Sequence, residues 1–340
     1  MNDYRALVIA KPGSIQLEEA APLAPGYGEV IARPGFVGVC GTDLELLDGV
    51  VDPAYVRYPL VPGHEWAGVV TRVGPGVSGL SPGQVVISEG IIPDRVCAQC
   101  VRGNTNLCVV YDEIGFTRAG AAADQILLPA QVVHPLPPGA DLAEAALAEP
   151  AAVAWRGISR VRPRPGERVA VVGDGTVGLI AAHLLRLFSP ARLIVVGQRS
   201  EQAGLASALG ATGFERAGDA SLDGSFDLVV EAAGTPGAVE SAFRLARRGG
   251  RVLLLGLAGN GVKAGLPIDD VVNNDLMITA SFGYTSAAWA EVTGLLSAGQ
   301  LSPGALITHR FPLDRYADAY ATLRHGTGPR GKVLIEVTAS

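Results

Sequence analysis

Charge is scarce in this chain. Only 18% of its 340 residues are Asp, Glu, Lys or Arg, and the formal balance is −6. No run of five basic residues occurs, which argues against a nucleic-acid or anionic-membrane surface as the main partner. Uninterrupted apolar stretches of about 18 residues are missing as well; Asp174, His183 and Arg186 break the best candidate for a span. Met1 to Ala10 has no basic region followed by a long apolar run, so no signal peptide is read there, and the expectation is a soluble, cytoplasmic protein. Internal repeats, low-complexity tracts and long linkers are absent. What is present is 48% apolar residues, enough for a sizeable core and against wholesale disorder. The length suggests about two domains.

Cysteine is also sparse: Cys40, Cys97, Cys100 and Cys108 are the whole set. Three of them fall within twelve residues, and in a chain without a secretion signal that grouping reads as metal or catalytic chemistry before disulfides. A lone Cys is as well read as a small buried hydrophobe. A C-x2-C pair with a third close behind is not.

The first 140 residues predict short strands split by Gly and Pro, among them Ala6 to Ile9, Val69 to Val73, Val85 to Ser88 and Ile126 to Leu128. Ala-rich Leu142 to Gly157 predicts one helix. Strands then alternate with helices: strands at Arg168 to Val172, Leu193 to Val196, Asp227 to Ala232, Arg251 to Leu255 and Met277 to Ser281, helices at Thr176 to Phe188, Ser200 to Leu209 and Pro236 to Arg247. Near-continuously apolar strands separated by helices imply a parallel sheet covered on both faces. Two more helical patterns and a last strand, Lys332 to Val337, follow Tyr284.

The first of the parallel strands runs into Gly173-Asp174-Gly175-Thr176-Val177-Gly178 and then an apolar helix. Gly173 permits the tight turn, Gly175 lets backbone approach a pyrophosphate, Gly178 lets helix and strand pack closely, and the helix N-terminus favours the anion. A glycine-rich turn by itself serves packing as readily as binding; strand before and helix after is the context that dinucleotide binding demands. NAD sites place an acid about 20 residues on, at the end of the next strand. Here Gly197-Gln198-Arg199-Ser200 stands there. Gly197 removes a carboxylate that would repel a 2′-phosphate, and Arg199 offers a cation to grip one, so NADP(H) is expected. The plainer reading of Arg199 is a solvated loop cation.

Cys40-Gly41-Thr42-Asp43 follows an apolar segment, Gly63-His64-Glu65 follows a Val-Pro turn, and Glu149-Pro150 opens a helix. Alone, His64 reads as a core histidine and Glu149 as a helix N-terminal charge. Together they supply one thiolate, one imidazole and carboxylates, a set suited to Zn²⁺ with an open position. These motifs, the C-x2-C-x7-C segment and the nucleotide fingerprint come in the order of the zinc-dependent medium-chain dehydrogenases/reductases. The chain resembles that family over essentially its whole length, and resembles the polyol, sugar and cyclitol branch more than simple alcohol dehydrogenases, which usually carry a second Cys where Glu149 stands.

The resemblance implies an α/β architecture: a GroES-like β-rich catalytic domain over 1–148 with a zinc lobe at 89–110, a Rossmann doubly wound coenzyme domain over 149–284, and a segment, 285–340, returning to the first. It implies that Cys40, His64, Glu65 and Glu149 hold catalytic zinc directly or through water, that Asp43 orients His64, and that Thr42 takes the substrate proton. Glu45 stands where many relatives carry His, and either passes that proton to solvent or is bypassed. Zinc lowers the pKa of a carbinol oxygen so that hydride can leave. Where relatives have four structural-zinc cysteines, this chain has Asp94, Cys97, Cys100 and Cys108. Carboxylate oxygen ligates Zn²⁺ at about 2.0–2.2 Å, so the set is chemically sound; the other reading is an empty lobe of three thiols.

Substrate residues are the least legible. Glu89-Gly90-Ile91 lacks the His of threonine dehydrogenases. Glu89 reads as a contact for a substrate hydroxyl or amino group, or as a solvated loop acid. Trp66, Tyr111, Phe116 and Trp155 read as cavity walls or as core, and His134, His183, His309 and His325 as structural. The expected activity is zinc-dependent hydride transfer between NADP(H) and a secondary hydroxyl or ketone on a sugar, polyol or (amino)cyclitol, by a homodimer or homotetramer. The alternatives are a simple secondary-alcohol dehydrogenase or ketone reductase, and a non-catalytic nucleotide-binding protein on the same fold.

Overall fold

The computed structural model describes residues 3–110, 112–266 and 268–337, and fifteen strands among these described residues carry the architecture. In chain order they are β1 Tyr4–Lys11, β2 Ser14–Ala20, β3 Glu29–Val39, β4 Glu65–Val73, β5 Val85–Ser88, β6 Ile126–Pro129, β7 Val133–Pro135, β8 Arg168–Val172, β9 Arg192–Gly197, β10 Gly213–Arg216, β11 Phe226–Glu231, β12 Ala246–Leu254, β13 Met277–Ala280, β14 Ile307–Pro312 and β15 Lys332–Glu336. The chain divides into two units. The first comprises residues up to Glu149, Thr285–Thr327 and from Lys332 onward; the second comprises Pro150–Tyr284 and Gly328–Gly331. The expected return of 285–340 to the first unit is thus interrupted by four residues that pack with the second.

The first unit is built on a sheet ordered β14-β15-β3-β4-β5-β7, with β6 also paired to β3, and a separate β1-β2 hairpin. Long β3 is its spine. It pairs antiparallel with β4 (Gly38↔Glu65) and with β15 (Leu334↔Gly38), so Gly38 lies between the start of β4 and the middle of β15. Alternate side chains of these strands, Val30, Val37, Val39, Val70, Val333 and Ile335, bury against Trp66, Leu128 and Leu313. That alternation is what a sheet with one covered face requires.

The second unit holds a six-stranded parallel sheet in the order β10-β9-β8-β11-β12-β13. Numbered from β8, this is 3-2-1-4-5-6, the doubly wound order whose ligands lie off the carboxyl ends of the strands. Strands β8 and β9 are buried on both faces, which explains their continuous apolar runs. A core around Phe226, Val229, Ala242 and Val252 fills one side.

One expectation needs correction. Leu142 to Gly157 is not a single helix but Leu142–Ala145 followed by Ala148–Val161. Pro150 has no N–H to give and its ring would meet the carbonyl four residues back, so the first helix cannot continue through it; in the first turn of a new helix it costs nothing. The other helices keep their places with tightened ends: Thr176–Leu185 passes into a 3-10 turn at Arg186–Phe188, and Ser200–Gln202 is a 3-10 turn before Ala203–Ala208. No helix among the described residues is long and apolar enough to cross a membrane.

Candidate metal centres and nucleotide site

Cys40 ends the β3 spine and caps helix Gly41–Asp48. Its thiol sulfur accepts the Thr42 N–H at 3.2 Å and its own N–H donates to Asp43 Oδ2 at 2.9 Å. His64 and Glu65 arrive on the start of β4, beside it. Cys40 Sγ lies 3.3 Å from His64 Nε2, and the ligand atoms of Cys40, His64 and Glu65 all lie within 4.8 Å of one another. The other imidazole nitrogen, Nδ1, faces Asp43 Oδ1 at 3.7 Å. That separation is too long for a hydrogen bond, and neither atom has a hydrogen-bond partner among the described residues, so Asp43 acts on the ring through its charge. Phe116 packs on the ring, centroids 5.2 Å apart.

Burial would lower the His64 pKa, but the charges of Cys40 and Asp43 outweigh it and hold it well above the usual histidine range. The surrounding acids are raised too, in their case by burial itself. Burial raises Asp43 against the pull of His64, raises Glu113 to about 7, and raises Glu149 to about 8 with help from Glu65 and Glu113. Cys40, Asp43, Glu65, Glu113 and Glu149 are thus five acidic groups crowded around one imidazole and one ammonium. A thiol, an imidazole and a carboxylate converging amid surplus acid are the donor set and the charge that a Zn²⁺ ion fits.

That ammonium is Lys332, at the start of β15. It is 1% exposed and ion-paired to Glu65, itself 2% exposed. Gly38, between them in the sheet, makes the pair possible: a Cβ there would stand 2.3 Å from Glu65 Oε2 and 2.6 Å from Lys332 Cε. Lys332 was not singled out in the sequence, nor were Glu113 and Tyr320. The Tyr320 phenol is buried, and its pKa is raised by that burial and then by the charges of Asp43 and Cys40. The one signal for Lys332 was indirect, because so many acids grouped by the motifs call for a buried cation.

Of the remaining expected residues, Thr42 is half-buried next to the trio and Glu45, a turn further on, is exposed. Glu149 opens helix Ala148–Val161, half-buried, its charge acting on His64 and Glu65; it is not one of the three groups within mutual ligand distance. Glu89 is neither a free substrate contact nor a solvated loop acid. It is buried, 3.1 Å from His134 Nε2, and accepts the Ser286 hydroxyl at 2.6 Å. Ser286 N–H in turn donates to Thr105 Oγ1 at 2.8 Å, tying helix Ser286–Ser297 to the cysteine lobe. Trp66 is core, its indole N–H on Ser88, and Trp155 packs on Phe188. Tyr111 lies outside the described residues.

In the lobe, the ligand atoms of Asp94, Cys97, Cys100 and Cys108 also lie within 4.8 Å of one another, and all four cysteines are free thiols. Asp94 Oδ1 accepts the N–H groups of Val96 and Cys97, each at 3.0 Å, and its own N–H donates to Cys108 Sγ at 3.3 Å. The N–H of Cys97, then that of Val96, holds the Asp94 carboxyl well below the usual range, so it stays anionic. Burial, then Asp94 and Cys97, pushes the Cys100 thiol up to about 12. Carboxylate and thiols in that crowding fit a divalent ion, with four protein ligands and no open position.

The nucleotide turn sits off the end of β8. Gly173 has φ +126°, a conformation open to glycine, and a Cβ on Gly178 would stand 2.0 Å from Gly173 O, so helix Thr176–Leu185 seats directly on the turn. Nothing lies within 4 Å of where a Cβ of Gly175 would be, which leaves the helix N-terminus open to a pyrophosphate. Thr176 Oγ1 donates to Gly331 O at 3.2 Å, and Val177 is half-buried. At the end of β9, Gln198 and Ser200 are exposed and Gly197 and Arg199 meet Asp174. The expectation that Gly197 leaves this corner free of carboxylate is not met. A Cβ on Gly197 would be 2.5 Å from Asp174 Oδ2, because the fingerprint's own acid reaches across from the β8 turn. Arg199 is not a solvated loop cation either: Nη2 pairs with Asp174 Oδ1 at 2.7 Å.

The chain matches two family models, the alcohol dehydrogenase GroES-like domain over residues 26–138 and the glucose dehydrogenase C-terminus over residues 144–327. Sorbitol dehydrogenase of Gallus gallus is 30% identical over 95% of this chain and 94% of its own length. D-arabinitol dehydrogenase 1 of Uromyces fabae is 26% identical over 92% of each. Among solved structures, one described as a zinc-binding dehydrogenase from Sinorhizobium meliloti 1021, bound to NADP, superposes with a TM-score of 0.93 at 27% identity, covering 99% of this chain and 100% of that one. The two sheets are therefore a GroES-like and a Rossmann domain, and the chain belongs to the zinc-dependent medium-chain dehydrogenases/reductases, in their polyol and sugar dehydrogenase-like branch.

Proposed function

We propose that this chain is a zinc-requiring dehydrogenase that moves hydride between NADP(H) and a secondary alcohol or its ketone on a sugar, polyol or cyclitol. The observation that carries the reading is the convergence of Cys40, His64 and Glu65 around one point, with the Asp43 carboxylate facing the far side of the imidazole. A Zn²⁺ ion held there would supply Lewis acidity for a substrate oxygen, and a bound nicotinamide coenzyme would supply the hydride chemistry. The chain's own residues do the rest. Cys40 and His64 would hold the ion, and Glu65 and Glu149 would adjust the negative charge around it. Thr42 takes or returns the hydroxyl proton, and Glu45, exposed one turn on, is the exit for it. Asp94, Cys97, Cys100 and Cys108 hold a second, structural ion.

The glycine turn from Gly173 to Gly178 takes the pyrophosphate, and Arg199 takes the adenosine 2′-phosphate. The NADP bound by the Sinorhizobium relative supports that choice. Self-association to a homodimer or homotetramer belongs to the same reading, supported by the exposed Met277, Ile278 and Phe282 on and beside edge strand β13. Arg199→Ala is expected to lower kcat/KM for NADP about tenfold or more while leaving NAD within about twofold. Steady-state kinetics with both coenzymes decide it; equal ratios in variant and parent refute the role given to Arg199. A substrate panel tests the rest: higher kcat/KM on short aliphatic ketones than on polyols would favour a simple secondary-alcohol dehydrogenase.

A further inference from the structure

The corner that would receive the adenosine 2′-position is built around one carboxylate. Asp174 Oδ2 accepts the backbone N–H groups of Gln198 at 3.0 Å and Arg199 at 2.9 Å. Oδ1 accepts Arg199 Nε at 3.1 Å and Nη2 at 2.7 Å. Four donors fill the acceptor sites a carboxylate has. Nη2 also donates to the Asp174 carbonyl at 2.9 Å, and Gln202, fully buried, donates to that same carbonyl and bridges it to the backbone of Arg330.

Two consequences follow from this bonding. The Nε/Nη2 edge of the Arg199 fork, one of the edges able to grip a phosphate bidentately, is occupied by Asp174. The two Nη1 donors are left, with no hydrogen bond among the described residues. In addition, a negative charge stands beside the place where another would arrive. Further cations stand nearby: Arg330 is close enough for its charge to act on Arg199 and Asp174, and Arg216 is the register partner of Gly197 on β10.

We propose that Asp174 is a specificity-determining residue that competes with the coenzyme 2′-phosphate for Arg199, and so limits the preference for NADP(H) over NAD(H). This rests on the assignment of Arg199 to the 2′-phosphate. It differs from the acid at the end of the second strand in NAD enzymes, which rewards a ribose 2′-OH by accepting its hydrogen bond. Asp174 has no acceptor left to offer. Its removal releases Arg199 without weakening binding of a nucleotide that lacks the phosphate. Asp174→Asn makes the cut cleanly, since the amide oxygen can keep the two backbone N–H groups while its NH₂ cannot accept from the guanidinium.

The experiment is calorimetric titration of the full-length, zinc-replete protein with 2′,5′-ADP and with 5′-AMP, in the parent, Asp174→Asn and Arg199→Ala. Asp174→Asn is expected to bind 2′,5′-ADP about five- to tenfold more tightly, with 5′-AMP changed by less than about twofold. Unchanged or weaker 2′,5′-ADP binding in Asp174→Asn overturns the proposal, as does a matching loss of 5′-AMP, which would make Asp174 a ribose acid. Arg199→Ala reads the underlying assignment separately: undiminished 2′,5′-ADP binding there removes Arg199 from the phosphate site whatever Asp174→Asn does. Should Asp174→Asn fail to fold, Asp174→Ser, which also lacks the charge, is titrated with the same expected and overturning results.

Discussion

Cys40→Ala is expected to lose one zinc ion per chain and to lower kcat/KM about a thousandfold or more. With the thiolate gone, His64 and Glu65 are the two groups left of the converging trio. A tetrahedral catalytic zinc needs about three protein ligands, and two leave it weakly held. The Lewis acidity at stake amounts to several kcal/mol, and each 1.4 kcal/mol is about a factor of ten in rate. The lobe at Asp94 to Cys108 shares no residue with the trio, so its ion stays. Elemental analysis of protein purified without chelator, set beside the kinetics, checks both halves: two ions per chain in the parent and one in the variant. One ion in each protein would mean that the lobe is filled and the trio is not, and would turn the reading toward a non-catalytic nucleotide-binding role.

Lys332→Met is expected to destabilise the first unit by about 3–5 kcal/mol in the metal-free protein, because it leaves the buried Glu65 carboxylate without its cation. Lys332 and Glu65 are both almost completely enclosed, so neither can turn to water. In a unit of this size that loss lowers the midpoint of thermal unfolding by about 10 °C. Two controls make the cause visible. Glu65→Gln with Lys332→Met removes both charges and should recover most of the lost stability, since an apolar or neutral replacement of a whole buried pair is tolerated far better than half of one. Loading with zinc should shrink the effect, because the ion then shares the charge on Glu65. Melting followed by circular dichroism, with and without chelator, separates these; a metal-free Lys332→Met protein within about 1 kcal/mol of the parent would show that the pair is not a buried-charge device.

The parallel sheet was legible because its strands announce themselves. Arg168 to Val172 is a strand with the predicted bounds, and two of the glycines after it are demanded, Gly173 by its φ of +126° and Gly178 because a Cβ there would fall 2.0 Å from Gly173 O. Strands β2 and β3 were not read. Ser14–Ala20 is half-exposed with two adjacent glutamates, and Glu29–Val39 carries Pro34 and Gly35 at a bulge, so neither shows a clean period of two. The ligand motifs stood out because thiol, imidazole and carboxylate are rare in apolar surroundings. What remained hidden were partners supplied from far along the chain. Nothing in Lys332-Val-Leu-Ile-Glu says that its lysine points inward, and nothing in Gly-Asp-Gly says that the aspartate reaches the end of the next strand. Glu89 was misjudged for the same reason, since His134 and Ser286, 45 and 197 residues away, decide its environment.

The position of β15 bears on the order in which the protein assembles. As the chain leaves the ribosome, β3, β4 and the Cys40, His64 and Glu65 that they carry appear early, yet β3 lacks its β15 neighbour and Glu65 its counter-ion until residue 332 has been made. Nearly all of the second unit is synthesised in between, and apart from Gly328–Gly331 it is one unbroken stretch. Contacts between positions so distant are slow to form, because a long loop must close first. The nucleotide half is therefore expected to mature before the metal half, although the metal half begins first. Hydrogen exchange during refolding would show it, with amides of β8 to β12 protected ahead of those joining β3 to β15.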